Sequence, residues 1–204
     1  MDNCVYICGD SFGVSDLDYG ECWVDHLSKS VNVKNLSIVC ASNLLISQQV
    51  DRAIRENADF IICLCTSSTR LEVLFQGRVI PFSVHSIDHT TKFDTQQKQI
   101  LKKYINEFFD LDSAIYLNRC IIENTLQKLL DSRIPFLFDQ GGFEHKSFGG
   151  IDTEYFLKYK TYKSKFNLWD YITTKNYRPY YHITDTAVHL KIANYYLNNI
   201  NEQT

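Results

Sequence analysis

The chain has 204 residues, 45% of them hydrophobic and 14% aromatic, enough to bury a core without disulfide or metal staples. Its 21 Lys and Arg against 24 Asp and Glu leave a net charge of −3, which argues against the positive field that a nucleic-acid duplex or an anionic membrane selects. The seven cysteines, at positions 4, 8, 22, 40, 63, 65 and 120, fall mostly in apolar runs without zinc-ribbon spacing. They read as buried free thiols in a reducing, cytoplasmic setting with no metal site. Met1-Asp2-Asn3 carries no basic leader, and no apolar run approaches the roughly 18 residues that span a bilayer.

Three prolines, eight glycines and no Gly-, Ser- or Pro-rich tract predict one domain over residues 1–204, without linkers or repeats. Cys4 to Cys8 reads as a short buried strand ending in Gly9-Asp10-Ser11. Glu21 to Val31 has helical spacing, Leu36 to Cys40 is a second strand, and Asn43 to Asn57 an amphipathic helix on Leu44, Ile46, Val50 and Ile54. Asp59 to Cys65 is a third strand. Strands alternating with helices at this interval predict a parallel sheet covered on both faces, a three-layer α/β/α sandwich.

Arg70 to Phe75 and Arg78 to Phe82 flank Gln76-Gly77 and predict a hairpin excursion over residues 70–82. The run Leu71 to Gly77 spells a picornaviral protease site, yet Arg78 replaces the usual proline and the chain continues into Val79-Ile80-Pro81-Phe82, so it reads as native sequence. Helices are predicted at Lys92–Phe109 and Ser113–Ser132, and a fourth parallel strand at Ile134–Phe138. Phe143 to Tyr181, rich in Tyr, Lys and Phe, predicts irregular structure with short helices. A helix at Thr184–Asn199, capped by Thr184 or Asp185, closes the chain.

Ligands and nucleophiles of open parallel sheets collect at the carboxyl ends of the strands. The first strand delivers Gly9-Asp10-Ser11 there: either a plain turn of turn-favouring residues, or a sharp turn held by Asp10 that presents Ser11 as a nucleophile. A serine needs a base, usually histidine. Of the six histidines, His26, His85, His89 and His145 read as structural or surface residues and His189 as a packing residue within the last helix. His182, just ahead of that helix, is placed to reach the same edge. Thr66, Ser67 and Arg70 follow the third strand and would line that edge, Arg70 either binding an anionic or sugar substrate or pairing with Glu72. Tyr177, Tyr180 and Tyr181 form either a stacking platform for a substrate or aromatic packing beneath a loop.

With these residues in place, the chain resembles the SGNH (GDSL-type) hydrolases, esterases and deacetylases on a flavodoxin-like sandwich. Gly9-Asp10-Ser11 resembles the first block of that family, Leu36 to Asn43 the second, Phe60 to Ser67 the third, and His182 with its helix the last. Three positions depart from the pattern: Cys40 replaces the usual second-block glycine, Thr66 the third-block asparagine, and Pro179 the acid three residues before the histidine.

The resemblance implies a cofactor-free serine esterase in which Ser11 attacks and His182 is the base. The N–H groups of Ser11 and Cys40, with the Asn43 amide, would form the oxyanion hole. A backbone carbonyl or a relocated acid, Asp139, Asp170 or Asp185, would orient His182. The expected partner is a small-molecule or carbohydrate ester, with an O-acetyl group on a sugar as the substrate class; neither nucleic acid nor membrane is expected. The alternative is a catalytically degraded carbohydrate- or protein-binding module on the same fold. A flavodoxin-like nucleotide binder lacks support, because the first loop has no glycine-rich phosphate cradle.

Overall fold

Val5 to Cys8 and Phe60 to Leu64 are buried at every position, which a strand tolerates only where both faces of its sheet are covered. The computed structural model describes residues 4–14, 21–139, 141 and 186–203. The order is β1 (Cys4–Cys8), a 3-10 turn (Ser11–Gly13), α1 (Trp23–Ser28), β2 (Asn32–Asn35), α2 (Asn43–Arg55), β3 (Phe60–Leu64), β4 (Arg70–Phe75), β5 (Arg78–Ser83), α3 (Thr95–Phe108), α4 (Leu111–Ser132), β6 (Phe136–Asp139) and α5 (Thr186–Gln203).

Four strands form a parallel sheet in the order β2-β1-β3-β6. Side chains alternate across it with the period of two that a pleated strand imposes. Val5, Ile7, Phe60, Ile62 and Leu64 pack with Trp23, Val24 and Leu27 of α1 and with Val188, Ile192 and Tyr196 of α5. Tyr6, Cys8, Ile61, Cys63, Phe136 and Phe138 face the other way, onto Ile46, Val50 and Ala53 of α2 and Ile122, Leu126 and Leu129 of α4. The architecture is therefore α/β with helices on both faces of a parallel sheet. Among the described residues no helix is long and apolar enough to cross a membrane.

The second strand departs from expectation. It occupies Asn32–Asn35, and the apolar run from Leu36 to Cys40 lies beyond it in a loop where Ile38 and Val39 are exposed. The reason is its place at the sheet edge, paired on one side with β1, where polar residues such as Asn32 and Lys34 are accommodated. Leu36 N–H still donates to Ile7 O (2.8 Å) and Ile38 N–H to Gly9 O (3.2 Å), so the loop follows β1 after the strand ends.

The hairpin forms as predicted, Phe75 opposite Arg78. Gln76 (φ 49°) and Gly77 (φ 73°) are both left-handed, the requirement of a two-residue I′ turn. Its inner face builds a second core of Phe82, Ile87 and Phe93, on which Leu101 and Ile105 of α3 pack. The predicted helix from Lys92 begins at Thr95, because Asp94 and Gln97 form a reciprocal capping box. Asp110 caps α4 at the Ser113 N–H (2.9 Å). The predicted cap of α5 and the segment from 143 to 181 lie outside the described residues.

All seven cysteines are free thiols; Cys8, Cys22, Cys63 and Cys65 are buried, Cys4 and Cys40 half-buried, and Cys120 on α4 is exposed. Cys120 departs from the expectation of buried thiols because it falls on the outer face of its helix, between the buried Asn118 and Ile122. Burial also raises the Cys8 and Cys65 thiols well above their ordinary range, leaving little thiolate to react. Native-state alkylation followed by mass spectrometry is expected to modify Cys120 first and Cys4 and Cys40 more slowly. Cys8, Cys63 and Cys65 should react only on unfolding, and their early modification would contradict the buried positions of β1 and β3.

Candidate functional site

Because the order runs β2-β1-β3, the chain leaves β1 toward one edge of the sheet and later returns past it to the other side. The carboxyl ends of β1 and β3 therefore border the topological switch point, where open α/β sheets bind ligands. The first loop is pinned there by three side chains. Gln49, buried in α2, accepts the Gly9 N–H at Oε1 (2.7 Å) and donates from Nε2 to Gly9 O (3.2 Å). Asp10, only 1% exposed, accepts the Phe12 N–H at Oδ1 (3.0 Å) and the Thr66 hydroxyl at Oδ2 (2.6 Å). Trp23 donates its indole N–H to Phe12 O (2.7 Å).

This framework sets Ser11 at the start of the 3-10 turn, 6% exposed. Among the described residues its Oγ is buried and has no hydrogen-bond partner. An unsatisfied buried hydroxyl costs about 1–3 kcal/mol, and such an atom in a folded protein requires a reason. Ser37 Oγ is buried and unpartnered in the same sense. It lies on the β2–α2 loop against Gly13, where a Cβ would come within 2.9 Å of the Ser37 Cβ.

Cys40 takes the backbone conformation of a glycine, with φ 67°, so the turn forms although a side chain is present, at a cost of order 1 kcal/mol. Lys92 fastens this loop to the hairpin, donating to Val39 O (3.1 Å) and Pro81 O (2.9 Å). Asn43 takes up a different role from the expected oxyanion donor. Its two amide hydrogens go to Thr66 O (2.7 Å) and Asn118 Oδ1 (2.8 Å), and its Oδ1 accepts the Thr66 N–H (2.9 Å). It clamps the end of β3 to α4, and giving a hydrogen to a substrate would break one of these bonds.

Thr66 is fully buried and faces Asp10. Ser67 is also buried, its hydroxyl 2.9 Å from that of Thr69, so it shapes the start of the hairpin. Arg70 is half-buried and lines a cavity beside the hairpin together with Glu72. Asp139 ends β6 at the same edge of the sheet, where the Tyr196 hydroxyl donates to its Oδ2 (3.2 Å). Burial, then the Asp139 charge, holds the Tyr196 phenol well above its ordinary range, so it remains a donor.

The structure thus brings together Asp10, Ser11, Asn43 and Thr66, with Cys40 on the adjoining loop. His182, Pro179, Asp170, Asp185, His145, Tyr177, Tyr180 and Tyr181 lie outside the described residues. His189 is structural, its Nδ1 accepting the Trp23 N–H at the start of α1 (3.1 Å). Sequence reasoning missed Gln49, Ser37 and Asn118. Gln49 and Asn118 carried a signal, since each interrupts the apolar stripe of its helix, among Ile46, Val50 and Ala53 and among Ala114, Ile122 and Leu126.

Compared with known proteins, the chain matches no family model and no curated protein.

Gln49→Leu strands the buried Gly9 N–H and is expected to cost about 1–3 kcal/mol. Thr66→Val keeps the side-chain shape and removes a hydrogen bond to a carboxylate, for about 1.5–3 kcal/mol. Urea unfolding measures both; a change under about 0.5 kcal/mol in either would show that the clamp does not hold the loop.

Proposed function

We propose that this protein is a serine ester hydrolase of the SGNH type. The observation that carries the reading is the buried, unpartnered Ser11 Oγ beside the switch point. A buried hydroxyl that no described residue engages is available to a base and to a substrate carbonyl. The strand order β2-β1-β3-β6 supports the flavodoxin-like form of the fold, and the left-handed Cys40 supports the second-block turn that the resemblance expects of a glycine.

In this reading Ser11 Oγ attacks the carbonyl carbon as His182 takes its proton, and the carbonyl oxygen becomes an oxyanion facing the N–H groups of Ser11 and Cys40. Collapse breaks the ester C–O bond, and His182 returns the proton to the departing alcohol. Water, deprotonated by His182, then attacks the acyl-enzyme and releases the acid, restoring Ser11. Asn43 holds the Thr66 loop in place. The substrate is an ester, with a sugar O-acetyl group as the class tested first, and no cofactor takes part.

A second reading, a carbohydrate- or protein-binding module with degraded catalysis, is favoured by one observation. Both hydrogens of the Asn43 amide are engaged, so the oxyanion would have two backbone donors.

A fluorophosphonate probe separates the two. Mass spectrometry is expected to find one adduct, on Ser11, lost in Ser11→Ala. No adduct, or one elsewhere, leaves the binding module. For hydrolysis of an aryl acetate, His182→Ala is expected to lower kcat at least about a thousandfold. A comparable collapse in Asp139→Asn, Asp170→Asn or Asp185→Asn identifies the orienting acid, whereas three active variants point to a backbone carbonyl.

A further inference from the structure

The structure contains a cavity of about 360 Å³ between the β4–β5 hairpin, α3, the start of α4 and the amino end of α2, a size typical of small-molecule sites. It arises because α3 spends its Leu101 and Ile105 face on the hairpin core, while α4 packs through Ile122, Leu126 and Leu129 on the main sheet. The chain turns between them at Phe109-Asp110, and the space left open keeps an apolar lining of Leu44, Leu71, Tyr104, Phe108, Leu117 and Ile121.

Two properties point to an occupant. The first is uncovered apolar surface: Tyr104, Phe108 and Leu117 are 50%, 70% and 59% exposed, and the two rings stack at 5.9 Å. Covering such groups is favourable by about 25 cal/mol per Å². The second is charge. The lining carries two carboxylates, Glu72 and Asp110, against one guanidinium, Arg70. Asp110 is committed to capping α4, and the Ser113 hydrogen bonds hold its carboxyl below the usual range. Glu72 has no ion pair among the described residues. Desolvation raises its pKa, opposed only by the Ser42 hydroxyl. Arg70 lines the same cavity but forms no ion pair with Glu72 among the described residues, so this carboxylate gains from a cation that a ligand brings.

We propose that the cavity is a binding site for a small apolar organic cation, an alkyl- or arylammonium compound whose hydrocarbon lies on Tyr104, Phe108 and Leu117 and whose ammonium pairs with the Glu72 carboxylate. A dry cavity of about 150 Å³ already holds benzene, so a phenyl ring with a short chain fits. The proposal is independent of whether Ser11 is a nucleophile.

The test is calorimetric titration of the full chain with 4-phenylbutylamine, 4-phenylbutan-1-ol and 4-phenylbutyrate, which share a body and differ in the head group. The amine is expected to bind saturably, the alcohol about tenfold or more weakly, and the carboxylate weakest. Glu72→Gln should lower amine affinity about ten- to hundredfold and leave the alcohol unchanged. Phe108→Ala, at an exposed position, should weaken amine and alcohol alike, with both variants melting at the parent temperature. No saturable amine binding, equal affinity for the three probes, tighter binding of the carboxylate at Arg70, or an amine affinity untouched by Glu72→Gln would each overturn the proposal. Fluorophosphonate labelling of Ser11 in the same variants reads the esterase question separately.

Discussion

The hydrogen bond between the Asp10 carboxylate and the Thr66 hydroxyl (2.6 Å) joins the two strand ends on which the site depends. A buried carboxylate is tolerated only when its oxygens are bonded, and Asp10 has one on its own turn and one on the neighbouring strand's loop. The sheet register makes this meeting possible. Cys8 pairs with Cys63 in parallel β1 and β3, so the next residues of each chain run side by side to Asp10 and Thr66. A slip of one residue would carry Val5 and Ile7 to the opposite face. The two hydrophobic layers therefore enforce the polar contact above them.

The parts of the fold that could be read from the chain are those whose pattern is local and extreme. β1 and β3 are apolar at consecutive positions, and the hairpin advertises itself through Gln76-Gly77 between two apolar-rich arms. The β2 edge strand was hidden for the opposite reason. Its polar sequence, Asn32-Val33-Lys34-Asn35, carries no burial signal, while the following Leu36 to Val39 looks like a strand and is a loop with Ile38 and Val39 in solvent. Sheet order decides which segment is covered, and order is a long-range property.

The site divides in the same way. Asp10 as the holder of its own turn followed from residue type and spacing, because the Phe12 N–H it accepts is two positions away. Asn43 did not follow. An amide presented to a substrate and an amide saturated by Thr66 and Asn118 are the same residue in a sequence, and the difference is a contact 75 positions distant. Polar residues inside an apolar helical stripe are the more useful sign, as Gln49 and Asn118 demonstrate, since burying an amide demands partners on another element.

Those partners also explain how the first loop keeps its form around an unsatisfied hydroxyl. Asn118 of α4 donates to its own helix at Ala114 O (2.9 Å) and accepts from Asn43, Asn43 holds both backbone groups of Thr66, and Thr66 holds Asp10. Four elements are thus coupled through buried hydrogen bonds, each strengthened by its low-dielectric setting. A loop determined by so many contacts cannot relax to give Ser11 Oγ a neighbour from within, which is the condition for keeping a polar atom open at an energetic cost. The same chain of contacts reaches the cavity through Asn118, which lines it together with Ser42, the residue before Asn43. The strand edge and the cavity are two sides of one polar partition, and its rigidity serves both.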